Sequence, residues 1–294
     1  MKSGLVAVVG RPNVGKSTLV NRLVGSKVSI TSTRPQTTRA TIRGVVHGPD
    51  QAYQIVLLDT PGLHKPRAEI GHRLNRLVYG SLAEADVILF LLDANQAIGP
   101  GDRRLAERVV LASVPVVVAV NKTDRARPGV VAHQLAEASS WDLAAYVPIS
   151  AITGAGLDEL LPELVSRLPE GPALFPPELV TDQAEEFLIG EIIREKFLDR
   201  LHEELPHSLL VRVTAIQEEG ELLRIEADVL VERDSQKGIV IGKGADLLKA
   251  AGSEARLELE GKFGIQVHLD LRVRVEADWQ RRPQLLDRLG FPSE

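Results

Sequence analysis

The chain carries the run GRPNVGKS from Gly10 to Ser17, directly after an apolar stretch that spans Gly4 to Val9. A glycine-rich turn between a buried strand and a helix lets backbone N–H groups surround a phosphate where the helix dipole favours negative charge. In such a loop Lys16 faces the outer phosphates, and the hydroxyl of Ser17 faces a magnesium ion. The run therefore predicts a nucleotide site that uses Mg2+. Its predicted members are Gly10, Arg11, Pro12, Asn13, Val14, Gly15, Lys16, Ser17 and Thr18.

A second motif, DTPG, ends the apolar run that begins at Ile55. In a nucleotide site its aspartate, Asp59, holds the magnesium ion through water, and the N–H of Gly62 faces a γ-phosphate. The alternative is an ordinary turn at the end of a strand, because such turns are rich in these residue types. The position of DTPG after a phosphate loop favours the functional interpretation, so Thr60 and Pro61 join the predicted nucleotide site.

A third motif, NKTD, ends another apolar run, and a plain loop tetrapeptide or a helix N-cap are its alternatives. A carboxylate accepts hydrogen bonds from N1–H and the exocyclic 2-amine of guanine, whereas adenine has no donor at N1 and no 2-amino group. Asp124 is therefore predicted to select guanine, Asn121 to brace the loop and Lys122 to lie along the base or sugar. The next strand end is predicted to offer backbone N–H groups to the guanine carbonyl. The predicted base-binding residues are Asn121, Lys122, Asp124, Ser150, Ala151 and Ile152.

These motifs need a sheet that brings strand ends together. Apolar runs that begin at Ile55, Val87, Val114 and Tyr146 are predicted strands, and helices are predicted to begin near Ser17, Gly71, Asp102, Val130 and Gly156. Because the runs are unbroken rather than alternating, they indicate a parallel sheet that is covered on both faces. The sequence therefore predicts an α/β domain whose ligand lies at the carboxyl ends of the strands.

Length and composition set further limits. A chain of 294 residues exceeds the usual size of one domain, which indicates two. The absence of cysteine excludes disulfides, thiol catalysis and cysteine-bound zinc. With neither an apolar leader nor a membrane-spanning run, the predicted location is cytoplasmic. The net charge is +4 over residues 1–172 and −9 over residues 173–294, so RNA binding by the second half would require a local basic face.

Four prolines lie within PEGPALFPPE, between Leu168 and Glu178. Such a segment is stiff and extended, and it does not continue a helix. We therefore predict a GTPase-type domain over residues 1–170, a linker over residues 171–180 and a second domain with a short tail over residues 181–294.

The second domain is predicted to contain a helix over residues 185–205, a hairpin of strands 208–216 and 222–232, a strand end, glycine turn and helix over 238–261, and a third strand over 265–275. This order resembles the type II KH domain, a small α+β module that clamps single-stranded RNA over a GxxG loop. Here the fourth loop position is alanine. The implied RNA-binding residues are Lys237, Gly242, Lys243, Gly244, Ala245 and Lys249, with Arg256 extending the basic strip. An ordinary α/β module with solvated charges is the alternative.

The first domain resembles the Ras-like P-loop GTPases. By that resemblance residues 30–44 form the first switch, and Thr38, with Thr37 as the competing candidate, completes the magnesium shell. Leu63 occupies the position of a water-orienting glutamine, which implies slow intrinsic hydrolysis. In related families Asn13 helps to hold a potassium ion, and here it either does so or only shapes the loop. The implied catalytic residues are Lys16, Thr38, Asp59, Gly62 and Asn13, and the implied metal ligands are Ser17, Thr38 and Asp59.

Taken together, TTR, DTPGLHKP, NKTD and SAITG followed by EIIREK and LVERDSQKGIVIGKGA resemble the Era-like family of TrmE-Era-EngA-type P-loop GTPases. The resemblance implies a switch controlled by GTP and GDP that binds the 3′ end of small-subunit (16S) ribosomal RNA and assists small-subunit assembly and rRNA maturation. It also implies peripheral association with the inner membrane, and a monomer is the default expectation. The alternatives are a related GTPase that acts on another RNA, and a GTPase whose second domain serves protein or membrane attachment.

Overall fold

A computed structural model describes residues 1–32, 34, 37–63, 68–201, 205–289 and 291, except for the side chains of residues 207 and 288. Contacts within the chain define two compact units. The first comprises residues 1–29, 35–67 and 71–182, and the second comprises residues 30–34, 68–70 and 183–294. The proposed boundaries at residues 170 and 181 stay predictions.

The first unit is built on a six-stranded sheet with the order β2-β3-β1-β4-β5-β6, counted over the described residues. Its strands are β1 (Lys2–Gly10), β2 (Ile42–His47), β3 (Tyr53–Asp59), β4 (Val87–Asp93), β5 (Val116–Asn121) and β6 (Ala145–Pro148). All neighbouring pairs are parallel except β2 and β3. The predicted, mostly parallel α/β fold is therefore confirmed, and β2 is an additional strand that the apolar runs did not reveal.

Helices connect these strands: α1 (Lys16–Val24), α2 (Glu69–Glu84), α3 (Pro100–Val110), α4 (Pro128–Ser139) and α5 (Leu157–Arg167). Each begins within two residues of its predicted start. Every residue of β4 and β5 is buried, which is why their sequences are apolar without alternation. The ends of β1, β3, β4 and β5 consequently lie at one edge of the sheet, where the motifs follow.

The predicted linker lies along the edge of this sheet. The N–H of Val45 in β2 donates to Val180 O at 2.9 Å. The side-chain oxygen of Gln54 accepts from the N–H groups of Leu174 (2.7 Å) and Phe175 (3.0 Å). The linker therefore pairs part of the exposed backbone that an edge strand would otherwise present.

The second unit contains a three-stranded sheet with the order β7-β8-β9. Its elements are α6 (Glu185–Leu198), α7 (Leu205–Ser208), β7 (Leu210–Glu219), β8 (Leu222–Val231), α8 (Asp234–Ile241), α9 (Asp246–Phe263), β9 (Gln266–Val275) and α10 (Pro283–Arg288). Strands β7 and β8 are antiparallel, whereas β8 and β9 are parallel. The predicted KH fold is confirmed. Nowhere in the described part of the chain does a helix combine the length and apolarity needed to cross a membrane.

Two local predictions in this unit were wrong. Residues 238–241, predicted as a strand end, form the last turn of α8. The side-chain oxygen of Gln236 accepts from the N–H groups of Glu232 (2.8 Å) and Arg233 (3.1 Å), so the helix has a start signal that outweighs the β-branched run. Helix α6 ends at Leu198 rather than continuing to residue 205, and residues 202–204 of that prediction lie outside the described residues.

The carboxyl-terminal tail packs on its own unit through Trp279. This side chain is fully buried, its Nε1–H donates to Ser208 O at 3.0 Å, and its ring stacks on Phe291 with centroids 6.0 Å apart. We expect Trp279→Ala to lower the free energy of unfolding of this unit by about 3–5 kcal/mol, because it leaves a large cavity. Chemical unfolding followed by far-ultraviolet circular dichroism measures the change.

Trp279→Phe is the matched control for that substitution. It keeps most of the apolar contact and removes the hydrogen bond to Ser208 together with a small part of the ring, so it should cost about 1–2 kcal/mol. Equal stability of the wild type and Trp279→Ala would show that the tail does not contribute to the folded core.

Candidate nucleotide site and RNA loop

The phosphate loop joins β1 to α1 and closes over its own lysine. Lys16, the first residue of α1, is only 7% exposed, and its ammonium donates to Gly10 O (3.3 Å) and Arg11 O (3.2 Å). Gly15 precedes it with φ of 100°, and a Cβ there would lie 2.3 Å from the side-chain nitrogen of Asn121. Glycine is therefore required where the phosphate loop and the base loop approach each other.

Burial controls the charges beside this loop. It lowers the pKa of Lys16 to about 8, and the carboxylate of Asp59 opposes that shift. Burial also raises the pKa of Asp59, against the effects of the Ser17 hydroxyl, the Lys16 ammonium and the Ser29 hydroxyl. A polyphosphate beside Lys16 would favour its charged form, so the electrostatics of the loop suit anion binding.

The three predicted magnesium ligands meet beside Lys16. Ser17 Oγ and Thr38 Oγ1 lie 3.0 Å apart. Both carboxylate oxygens of Asp59 are buried, and no described residue hydrogen-bonds to them in standard geometry. Hydroxyl and carboxylate oxygens are donors that Mg2+ accepts, so the residues present fit this ion. The contact with Ser17 favours Thr38 over Thr37, and the metal-binding role stays a prediction.

The DTPG turn packs directly against the phosphate loop. A Cβ on Gly62 would lie 2.8 Å from the backbone nitrogen of Pro12, so glycine permits the close approach. Thr60 Oγ1 donates to Val8 O at 2.8 Å, which fastens the turn to β1. Leu63 is partly buried against the core of the first unit. Because an alkyl side chain in this position cannot orient a water by hydrogen bonding, slow intrinsic hydrolysis remains the expectation.

The base loop is braced by Asn121 and Ser150. Asn121 Nδ2 donates to Val14 O at 2.8 Å, and its Oδ1 accepts from Ala151 N at 2.9 Å. This side chain therefore ties the phosphate loop to the last loop of the site. Ser150 Oγ donates to Asp124 Oδ1 at 2.7 Å. That hydrogen bond fixes the orientation of the carboxylate that is predicted to read guanine.

The backbone donors of the last loop differ from the prediction. Ser150 N donates to Ala155 O at 2.9 Å, and Ala151 N donates to Asn121 Oδ1. The expectation that both N–H groups face the guanine carbonyl is therefore corrected, because a tight turn uses one and the asparagine uses the other. In the described part of the chain, the N–H of Ile152 has no acceptor, and this residue is 57% exposed. The N–H of Ile152 therefore stays the predicted donor from this loop to the base.

Two buried carboxylates contact the site although the sequence analysis did not identify them. Asp93, the last residue of β4, pairs with Lys122 at 2.7 Å, and Asp102 in the first turn of α3 pairs with Arg11 at 2.8 Å. Burial raises the pKa of Asp102, against the Gly99 N–H and the Arg11 guanidinium. Asp93 ends an apolar strand, so the argument applied to DTPG and NKTD would have found it. Asp102 carries no comparable signal.

The predicted RNA loop connects α8 to α9. Gly242 and Gly244 have φ of 77° and 63°, and Ala245 has φ of 64° immediately before α9. A left-handed conformation costs a residue with a Cβ about 1–2 kcal/mol, so Ala245 keeps the loop shape at the expense of strain. A Cβ on Gly242 would lie 2.2 Å from Asp246 Oδ1, so this position requires glycine.

The predicted basic residues are not all close to this loop. Lys243 is exposed within it, and Lys249 Nζ donates to Gly244 O at 3.3 Å. Lys237 is half-buried in α8. Arg256 pairs with Glu260 at 2.7 Å, and it lies ten residues after the start of α9, or about 15 Å along the helix. Of the predicted cations, Lys243 therefore lies in the loop and Lys249 contacts it.

Family models match both parts of the chain. One described as a 50S ribosome-binding GTPase matches residues 5–122, and one described as a KH domain matches residues 204–280. Among the curated relatives are proteins named GTPase Era from Mycobacterium avium, with 49% identity over 99% of both chains, and from Mycobacterium tuberculosis, with 50% identity over 98% of both chains.

Solved structures with the same fold extend over nearly the whole chain. A crystal structure of a variant of Era from Aquifex aeolicus, bound to GDP and AlF4−, has a TM-score of 0.95 and 40% identity, over 99% of this chain and 100% of that one. A crystal structure of Era in complex with MgGDPNP and nucleotides 1506–1542 of 16S ribosomal RNA has a TM-score of 0.96 and 41% identity, over 99% of both chains. Both matches include the predicted phosphate loop and the predicted RNA loop.

Proposed function

Because the chain belongs to the GTPase Era family, we propose that it is a GTP-hydrolysing switch that binds the 3′ end of 16S ribosomal RNA. In this role it assists assembly of the small ribosomal subunit and rRNA maturation. The observation that carries the proposal is the presence, in one chain, of a guanine-nucleotide site and a KH-type loop. The related Era that was crystallised with MgGDPNP and a 16S fragment supports both ligands.

The nucleotide site divides its work among a few residues. The buried ammonium of Lys16 binds the outer phosphates, and Asp124, held by Ser150, binds the guanine edge. Ser17, Thr38 and Asp59 would hold Mg2+, which neutralises charge on the β- and γ-phosphates when it is bound. Thr38, in the predicted first switch, lies 3.0 Å from Ser17. Loss of the γ-phosphate would release the loop that carries Thr38. The nucleotide state thereby sets the conformation of the switch loop, and this conformation controls RNA binding by the second domain.

Potassium is proposed as a second cofactor, at Asn13. This residue has φ of 64°, and its carbonyl accepts from Lys122 Nζ at 2.6 Å, so the loop is held in a defined shape. A monovalent cation there would stabilise transition-state charge in place of an arginine. We expect GTP hydrolysis to be at least about tenfold faster in potassium than in sodium buffer, measured by phosphate release.

Asn13→Ala is the matched variant for the potassium experiment. It should reduce the potassium rate to the sodium rate while nucleotide binding persists. Equal wild-type rates in the two buffers would remove potassium from the reaction, and Asn13 would then only shape the loop.

RNA binding is proposed to depend on Lys243, which is exposed in the loop before α9. We expect Lys243→Ala to weaken binding of a 16S 3′-end oligonucleotide about threefold to tenfold at physiological salt and to reduce the salt slope by about one. Fluorescence anisotropy over a salt titration measures both quantities. Lys262→Ala, in the last turn of α9, is the control and should match the wild type. An unchanged slope in Lys243→Ala would place this lysine off the phosphate path.

The identity of the RNA is tested by crosslinking in cells followed by sequencing. Recovery of the 3′ end of 16S rRNA supports the proposal. Recovery of a different RNA would favour the related GTPases, and recovery of no RNA would favour a domain that serves only attachment. The acidic second half and the alanine at position 245 are the two features that favour a second domain without an RNA ligand.

We further propose that the protein is a cytoplasmic monomer with peripheral attachment to the inner membrane as an accessory property. Among the described residues of the tail, Trp279, Leu286 and Phe291 are buried in the second unit, so these three side chains do not form an apolar face for that attachment. Membrane flotation in the presence and absence of RNA tests the association, and sedimentation tests the oligomeric state.

A further inference from the structure

We propose that Asp93 is a positioning residue for guanine-nucleotide binding, and that it acts by holding Lys122 against the phosphate loop. This inference rests on the nucleotide site proposed above. Asp93 is the last residue of β4, its side chain is 3% exposed, and its Oδ2 lies 2.7 Å from Lys122 Nζ. None of the three motifs contains it, so its contribution comes from the fold rather than from the motif pattern.

The carboxylate of Asp93 has a fixed orientation. Its Oδ1 accepts from Asn95 N at 2.9 Å, while its Oδ2 binds the lysine. The backbone beneath it is also fixed, because Asp93 pairs in register with Asn121 across β4 and β5, and Ala94 N donates to Asn121 O at 2.8 Å. A carboxylate with both oxygens engaged cannot rotate away, so it presents a permanent acceptor to the base loop.

Lys122 bridges two loops from a constrained backbone. It has φ of 71°, and its carbonyl accepts from Asn95 Nδ2 (3.2 Å) and Arg125 N (3.1 Å). At the other end, its ammonium donates to Asn13 O at 2.6 Å as well as to Asp93. The aliphatic stem is therefore stretched between the base loop and the phosphate loop, in the place where the motif predicts a base or sugar.

The role of Asp93 follows from these two contacts. A lysine side chain has several rotatable bonds, so ordering it costs conformational entropy. Ligand binding bears this cost unless the side chain is already ordered in the free protein. Asp93 orders it in the free protein. Because Asn95 N and Lys122 Nζ engage the two carboxylate oxygens of Asp93, neither oxygen is offered to the base. Asp93 should therefore affect how tightly the nucleotide is held and not which base is chosen.

Release of a fluorescent GDP analogue from the full-length protein tests this role. We expect Asp93→Asn to release GDP about tenfold faster or more, with the preference for guanine over adenine and xanthine unchanged. Lys122→Met should also release GDP faster, and adding Asp93→Asn to it should change the rate less than twofold, because the partner is already absent. A general loss of packing would instead accelerate release in both backgrounds.

Asp86→Asn is the matched control. Asp86 immediately precedes β4 and accepts from Leu5 N at 2.8 Å, so its replacement perturbs the same strand at the end remote from the motifs. It should leave GDP release within twofold of the wild type. If Asp93→Asn does not fold, Lys122→Met alone replaces it, because Asp93 acts only through the Lys122 ammonium, and release should be about tenfold faster.

The outcomes separate this inference from the proposed function. Wild-type protein that binds no GDP would refute the nucleotide site itself. Three outcomes would overturn only the role of Asp93 while the wild type still binds GDP. They are unchanged release in Asp93→Asn, equal acceleration by Asp93→Asn in the presence and absence of Lys122, and unchanged release in Lys122→Met where that variant is used alone.

Discussion

Lys16→Ala should lose tight GTP binding, with affinity lower by about 100-fold to 4,000-fold, because removing one partner of a buried charge pair costs about 3–5 kcal/mol. The ammonium of Lys16 is 7% exposed, and its carbonyl acceptors, Gly10 O and Arg11 O, belong to the loop that would surround the phosphates. The ammonium of Lys122 also contacts this loop, but Asn13 O and Asp93 hold it, so it cannot take the place of Lys16. Equilibrium titration with a fluorescent GTP analogue measures the loss.

Lys2→Ala is the matched control for that experiment. Lys2 begins the same strand, β1, and its ammonium donates to Leu168 O at 2.8 Å, at the end opposite the phosphate loop. Its removal should leave GTP affinity unchanged. Unchanged affinity in Lys16→Ala itself would contradict the assignment of the loop as a phosphate site. Circular dichroism of both variants distinguishes lost binding from lost folding.

The architecture was largely predictable because burial leaves a direct trace in sequence. Strands covered on both faces, such as β4 and β5, must be apolar at every position, and helices between them begin where the apolar run ends. Strand β2 leaves a weaker trace, since it is a short edge strand that contains Gly44 and is paired on only one side within the sheet. Residues 238–241 were predicted as a strand end because they include β-branched residues. They are helical because Gln236 caps the start of α8.

The site was predictable where a residue type has one chemical use, and less so where the role depends on a partner. Lys16, Ser17 and Asp59 follow from the phosphate loop and the DTPG turn. The partner of Lys122 does not, because only the register of β4 against β5 brings Asp93 beside it. The sequence predicts that the backbone N–H of Ala151 faces the base, whereas in the structure this N–H donates to Asn121 Oδ1. Two acceptors compete for one N–H donor here, and only the three-dimensional structure shows which acceptor the donor reaches.

Asp124→Asn should transfer the base preference from guanine to xanthine. The carboxylate accepts from N1–H and the 2-amino group of guanine, whereas an amide can donate to the 2-carbonyl of xanthine and still accept from N1–H. A site built to hydrogen-bond one group discriminates by about 10⁴-fold against an analogue that lacks it, so the ratio of GTP to XTP affinity should change by about that factor. Competition of GTP and XTP against a fluorescent guanine nucleotide measures the ratio.

The structure makes this substitution a clean test because Ser150 holds the side chain. Ser150 Oγ donates to Asp124 Oδ1 at 2.7 Å, and an asparagine retains an oxygen for the same hydrogen bond. The variant should therefore keep its loop and its fold, while only the atom that faces the 2-position changes from acceptor to donor. Asp158→Asn, an exposed carboxylate in the first turn of α5, should leave the ratio unchanged. Persistent guanine preference in Asp124→Asn would assign base selection to another donor or acceptor.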